Sequence, residues 1–172
     1  MIKIGDEAVN PNIIHFLRAV QTHHVTLSAM ADQKANILIG VNSVIFALVV
    51  KDAAALSPAM IVLAAASSLA AVLCMLAVVP AIGLRRPAGP APPPNMLFFG
   101  AFTAVPEAEF QAEMETIMAT DAGIRAAMTR DIYQLGTVLQ QKKYKYLGWA
   151  YRVFMGGLIL TFAVFLLTRL TG

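Results

Sequence analysis

The sequence predicts an all-α integral membrane protein, with three transmembrane helices and a cytoplasmic helical bundle formed by extensions of the membrane helices. Three observations carry this reading. Of 172 residues 58% are hydrophobic and only 13% charged, with a mean hydropathy of +0.68, values far from those of an average soluble domain. Three apolar runs, over 35–50, 59–84 and 153–168, the last being the sixteen-residue charge-free part of a span over 147–169, are bounded by charges. Apolar stripes at helical spacing continue out of the first and third runs into polar sequence, and no β-rich stretch or internal repeat interrupts them.

The opening MIKIGDEAVN has no continuous apolar core and no cleavage-site pattern, so it is not a signal peptide, and the first span must act as an uncleaved anchor. Asn10 and Pro11 suit the cap and first position of a helix. Ile13, Leu17, Val20, His24, Leu27 and Ala31 then recur at alternating four and three spacing, which makes 11–34 an amphipathic helix leading straight into the membrane. His24 lies on that stripe, and His15 and His23 lie off it. No cysteine or carboxylate stands beside them at metal-ligand spacing, so they read as packed or solvated residues and no metal site is expected.

The stretch ADQKANILIGVNSVIFALVV, residues 31–50, is a charged collar that becomes an apolar segment with no breaker. Asp32, Asn36, Gly40, Ser43 and Ala47 share one small, polar helix face, the type of face that packs against protein rather than lipid. Asp32, Lys34, Asn36, Gly40, Asn42 and Ser43 are therefore the candidate packing or gating residues, with Asp32 expected to pair with a neighbouring helix. Between Lys34 and Lys51 sixteen residues are free of charge, short of the roughly 20 that cross a bilayer, so Lys34 must snorkel or the bilayer thin.

Ser57 and Pro58 cap the second span, which is alanine-rich and carries Ala64/Ser68, Ala66/Ala70 and Ser67/Ala71 in small-xxx-small register, and Pro80 is expected to kink its far end. The lone cysteine, Cys74, sits in this apolar run, excluding an internal disulfide. Residues 85–105 form a proline-rich linker with a basic start: five prolines in RRPAGPAPPPN forbid a helix, and Met96 to Gly100 is an apolar patch too short to span. Residues 106–146 are helical. Pro106 opens a helix that is acidic on one side, with Phe110, Met114 and Ile117 on the other. Thr120 and Asp121 begin a second, whose stripe of Ile124, Met128, Ile132, Leu135 and Leu139 meets no break before the third span. Asp121 to about Thr168 reads as one helix of roughly 70 Å at ~1.5 Å per residue. Tyr144, Tyr146, Trp149 and Tyr151 make an interfacial aromatic belt beside Lys142, Lys143 and Lys145, most simply explained as lipid headgroup contacts.

Of thirteen Lys and Arg, only Lys51 and Arg169 fall on one side of the spans. The positive-inside rule then puts the N-terminus and residues 85–152 in the cytoplasm and Gly172 outside, in a multi-pass membrane protein. No nucleophile motif, glycine-rich phosphate loop, His-Glu-x-x-His or paired cysteine is present, so no catalytic residue, metal or cofactor is assigned, and an enzyme is not expected.

Asp32-x-Lys34-Ala35-x-x-Leu38-x-Gly40-x-Asn42, two apolar spans, Phe98-Phe99-Gly100, a helix with Glu109-Phe110, and Asp131-Ile132 leading to Lys143-Tyr144 before the last span follow one another in an order that resembles the Pycsar transmembrane effector family of bacterial antiphage defence. The resemblance covers roughly Ala19 to Leu167 and rests on the order of the motifs. It implies activation by a cyclic pyrimidine nucleotide, cUMP or cCMP, made by a neighbouring cyclase on infection. The activated effector impairs the inner membrane, causing abortive infection, in partnership with lipid and with further copies of itself as a homo-oligomer. No nucleic acid polymer is implied. The sequence contains no β-rich nucleotide-binding domain, so any pocket must lie between helices or within residues 85–100.

A cyclic mononucleotide needs a cation, a stacking surface and amide-type donors and acceptors. Arg85, Arg86, Asn95, Phe98 and Phe99 supply these within a short stretch and are the candidate ligand-binding residues. Each has a competing explanation: the arginines serve positive-inside flanking, and paired phenylalanines anchor interfaces. The alternative function is a constitutive membrane scaffold or small channel subunit with no nucleotide ligand, separable by whether toxicity depends on a nucleotide.

Overall fold

The computed structural model describes residues 11–51, 56–79 and 94–171. Every regular element in it is helical: α1 (Pro11–Lys51), α2 (Pro58–Val78), a single turn α3 (Phe99–Phe102), α4 (Glu107–Met118), α5 (Asp121–Val138), a π-helical segment (Leu139–Tyr144) and α6 (Lys145–Thr171). Three helices are long and apolar enough to cross a membrane. Contacts divide the chain into two compact units, residues 27–80 with 139–172, and residues 1–26 with 81–138. They are termed the membrane unit and the polar unit.

In the membrane unit α1, α2 and α6 bury a narrow seam of small residues. Its core joins Ala31, Ala35 and Leu38 of α1, Cys74 of α2, and Leu147 and Ala150 of α6, with Ile39, Leu73, Val78 and Phe154 packed against it. Small side chains suit this place, because helices in lipid gain nothing by burying leucine against leucine and associate through close backbone approach instead. The closest approach is at Gly157, where an added Cβ would lie 2.2 Å from the Cβ of Ala66. The large apolar residues, such as Ile37, Phe46, Leu69, Ile159, Phe162 and Leu167, face outward, the inside-out arrangement that a hydrocarbon solvent allows.

α2 begins as expected, with the Ser57 hydroxyl accepting from the Met60 N–H at 3.3 Å and Pro58 in the first turn. Its regular α-helical part runs to Val78. Val79 is already extended at φ −53°, ψ 126°, since the residue before Pro80 is pushed out of the α region by the proline ring. Pro80, with its expected kink, and the residues on to Leu84, Arg85 and Arg86 lie outside the described residues.

The expected long C-terminal helix is continuous over Asp121–Thr171, but it contains the unexpected π segment. The inward positions explain it. Leu135, Leu139, Lys143 and Leu147 follow at three successive spacings of four, which would carry an α-helical stripe round to another face. The wider i→i+5 turn holds them in line. At its start, the Thr120 hydroxyl accepts from the Gly123 N–H at 3.0 Å. Gly123 is needed there, because a Cβ would meet the Ile117 carbonyl oxygen at 2.5 Å.

The polar unit combines the start of α1 with residues 94–138. α4 lies on α5, the Phe102 and Phe110 rings sit 5.0 Å apart, and Glu107 and Glu109 occupy the first turn of α4, where negative charge suits the helix dipole. Neither α4 nor α5 contains a fully buried residue, so polar contacts matter more to this unit than to its partner.

Candidate functional site

The π segment carries the densest polar cluster of the membrane unit. Ser28 and Asp32 stand one turn apart on α1, and both accept from the Lys143 ammonium: Nζ lies 2.7 Å from Ser28 Oγ, 2.7 Å from Asp32 Oδ1 and 2.6 Å from Asp32 Oδ2. An ammonium has three donors, and these contacts occupy all three. The Tyr144 hydroxyl donates to the Leu27 carbonyl at 3.2 Å. Lys142 donates to the carbonyl of Val79, just past the end of α2, a cation at a helix C-terminus. Lys142 and Lys143, expected at the headgroups, make these contacts within the protein because the π turn carries their ammonium groups to acceptors on α1 and α2. Lys145 and Trp149 remain exposed, and the Arg152 guanidinium stands 5.3 Å from the Trp149 ring centroid.

Deeper in the span the packed face of α1 runs through Ala31, Ala35, Leu38, Asn42 and Val49. The face of Asn36, Gly40, Ser43 and Ala47 is exposed in the single chain, and a Cβ on Gly40 would meet nothing within 4 Å. Asp32 and Asn42 thus belong to the internal seam, whereas Asn36, Gly40 and Ser43 do not; Lys34 is exposed as well. Asn42 and Ser67 are each 1% exposed, yet the Asn42 carboxamide and the Ser67 hydroxyl have no hydrogen-bond partner among the described residues. They border a groove of about 290 Å³ that Ser43, Phe46, Ser68 and Ala71 complete. Polar groups without partners are expensive in hydrocarbon.

In the polar unit Asp131 of α5 holds two other segments. Its Oδ2 accepts from Gln21 Nε2 at 2.8 Å and its Oδ1 from Asn95 Nδ2 at 3.0 Å. Asn95 Oδ1 in turn accepts from the Leu97 N–H at 3.0 Å. Both ends of the Asn95 carboxamide therefore have protein partners, and the residue is 6% exposed, so it anchors its loop to α5. The Phe98 and Phe99 rings lie 5.2 Å apart, tilted by 50°, and Phe99 is exposed. Of the expected ligand residues, Asn95, Phe98 and Phe99 lie in this loop and at the start of α3, and Arg85 and Arg86 lie outside the described residues. His24 packs near Gly136, and its buried Nδ1 has no hydrogen-bond partner among the described residues. Among the described residues no group of His, Cys, Asp and Glu could hold a metal ion.

Sequence reasoning missed Gln21 and Ser28 as partners. Each adjoins the apolar stripe, one position after Val20 and Leu27, where a polar side chain edges the packed face.

These features define a three-span helical membrane protein in which internal polar clamps hold each unit. The chain belongs to the Pycsar effector family: the Pycsar effector protein domain matches residues 15–169. No curated protein and no solved structure matches the chain. The motif residues Asp32 and Lys143, distant in sequence, are those that meet in the membrane unit, and Asp131 is the clamp of the polar unit.

Proposed function

We propose that this antiphage effector is switched on by a cyclic pyrimidine nucleotide, cUMP or cCMP, from a neighbouring cyclase, and then impairs the bacterial inner membrane to cause abortive infection. The observation that carries the reading is the family match along nearly the whole chain. Helix continuity supports it: α1, and α5 through the π segment to α6, each supply residues to both units, so a ligand acting on the polar unit acts on helices that enter the membrane. The N-terminus is cytoplasmic, as the charge asymmetry requires.

The active form is a homo-oligomer. The face of Asn36, Gly40 and Ser43 is small and open, the kind of face on which a second helix packs by close backbone approach. Sixteen charge-free residues in the first and third spans make only about 24 Å of helix against a ~30 Å core. Mismatch costing fractions of a kcal/mol per Å favours clustering and bilayer deformation. The nucleotide shifts the balance toward this state only by its differential affinity for it.

Coexpression with a pyrimidine cyclase, read by a membrane-potential dye, tests the reading. Depolarisation that requires the cyclase supports it. Toxicity indifferent to the cyclase would favour a constitutive scaffold or channel subunit instead. Four leucines inserted after Phe46 should blunt leakage from liposomes while leaving nucleotide binding intact; leakage at the parental rate would replace mismatch with a lined pore.

A further inference from the structure

The groove between the start of α1 and α5 has a volume of about 720 Å³ and is lined by Ile13 and Leu17 on one side and by Arg125, Thr129, Arg130 and Tyr133 on the other. That size lies within the range of ~300–1,000 Å³ common to small-molecule sites. Arg125, Thr129 and Tyr133 follow at one turn each along α5, so they share a stripe. Tyr133 is 76% exposed, an aromatic ring that contributes little to the packing of its own unit. The Thr129 hydroxyl donates to the Arg125 carbonyl at 2.8 Å, which leaves its oxygen lone pairs as acceptors.

We propose that this groove is the nucleotide site: Arg125 binds a cyclic phosphodiester, Tyr133 stacks on the base, and Ile13 and Leu17 form the apolar wall. The proposal rests on the nucleotide-activated reading above and gives that ligand a place different from residues 85–99. A cyclic phosphodiester has one negative charge and two free oxygens, matching the planar fork of a guanidinium. A flat base has a π face for the tyrosine, and a ribose hydroxyl or base N–H can donate to Thr129. The walls are otherwise apolar, which suits a ligand with one charge better than a polyanion. One turn past Leu17, Gln21 donates to Asp131 of α5. A ligand seated in the groove therefore bears directly on the clamp between the two helices. An anionic lipid headgroup shares the phosphate chemistry but offers no base to Tyr133.

The test uses the full chain in phosphatidylcholine nanodiscs, titrated by calorimetry with cUMP, cCMP and, separately, inorganic phosphate, and repeated in phosphatidylglycerol nanodiscs. Arg125→Ala and Tyr133→Ala should each weaken the tighter nucleotide about tenfold or more. Arg125→Lys should recover part of the loss, and Arg86→Ala with Phe99→Ala should bind as the parent does. Circular dichroism checks each fold, and Tyr133→Leu, which keeps apolar contact without stacking, replaces a Tyr133→Ala protein that loses helicity. Parental protein that binds neither nucleotide would overturn the nucleotide-activated reading and the site with it. Parental binding that survives Arg125→Ala and Tyr133→Ala would overturn the site alone. Equal competition by inorganic phosphate or phosphatidylglycerol, dependent on Arg125 but not on Tyr133, would make the groove an anion or lipid site and overturn the nucleotide assignment.

Discussion

Lys143 Nζ lies 2.6 Å from Asp32 Oδ2, across 111 residues of sequence, with the lysine side chain only 17% exposed and the aspartate 35%. Removing either partner leaves a partly buried charge whose other contacts cannot compensate. Lys143→Ala or Asp32→Ala should therefore destabilise the membrane unit by about 1.5–3 kcal/mol, the usual worth of a hydrogen bond to a charged group. Thermal unfolding in detergent measures it. The exchanged pair Asp32→Lys with Lys143→Asp should recover part of the loss, and two independent, additive losses would show that the pair is not coupled.

Asp131 provides the corresponding test in the polar unit. Gln21→Ala and Asn95→Ala each remove one of its donors, so each should raise hydrogen exchange in α5 and the 94–98 loop. In a double-mutant cycle each should couple to Asp131→Ala by roughly 0.5–3 kcal/mol. Coupling near zero for Asn95 would free it for the ligand role that its sequence neighbourhood suggested.

Gly157 should tolerate no side chain. A Cβ there meets the Ala66 Cβ at 2.2 Å, so Gly157→Ala forces α2 and α6 apart and should cost about 1–3 kcal/mol, as overpacking does. Ala66→Gly in the same protein should restore much of the stability. If the double variant unfolds at the temperature of the single one, the close approach is not what limits stability.

Gly40→Leu and Ser43→Leu act on an exposed face. The monomer should keep its thermal stability, while cross-linked oligomer and toxicity fall well below those of Leu48→Ile. Equal oligomer yields from all three variants would show that this face is not the interface between copies.

Reporter fusions after Gly172 should give a periplasmic signal, because eleven of thirteen Lys and Arg lie on the opposite side of the spans. A cytoplasmic signal would invert the protein or remove the third span.

The helices, the three spans and the continuity of α1 and of Asp121–Thr171 were legible in the sequence, because hydropathy and the 3.6-residue period are local properties that neighbouring residues establish together. Thr120 and Ser57 were legible as caps for the same reason: a cap answers to groups two or three residues away. Which face of α1 packs was not legible. Asn36, Gly40, Ser43 and Ala47 make as good a stripe of small residues as Ala31, Ala35, Leu38 and Asn42, and only the neighbouring helices decide between them. The partners of Lys143 and Asp131 were likewise hidden, since positive-inside flanking and internal pairing call for the same residue types. Tertiary structure settled these points because an ion pair or a glycine contact depends on where two distant backbones approach, a distance that no local pattern encodes. The π turn stands between the two cases: the run of fours from Leu135 to Leu147 is written in the sequence, but it becomes a wide turn only because Lys143 and Leu147 both have partners on the same side.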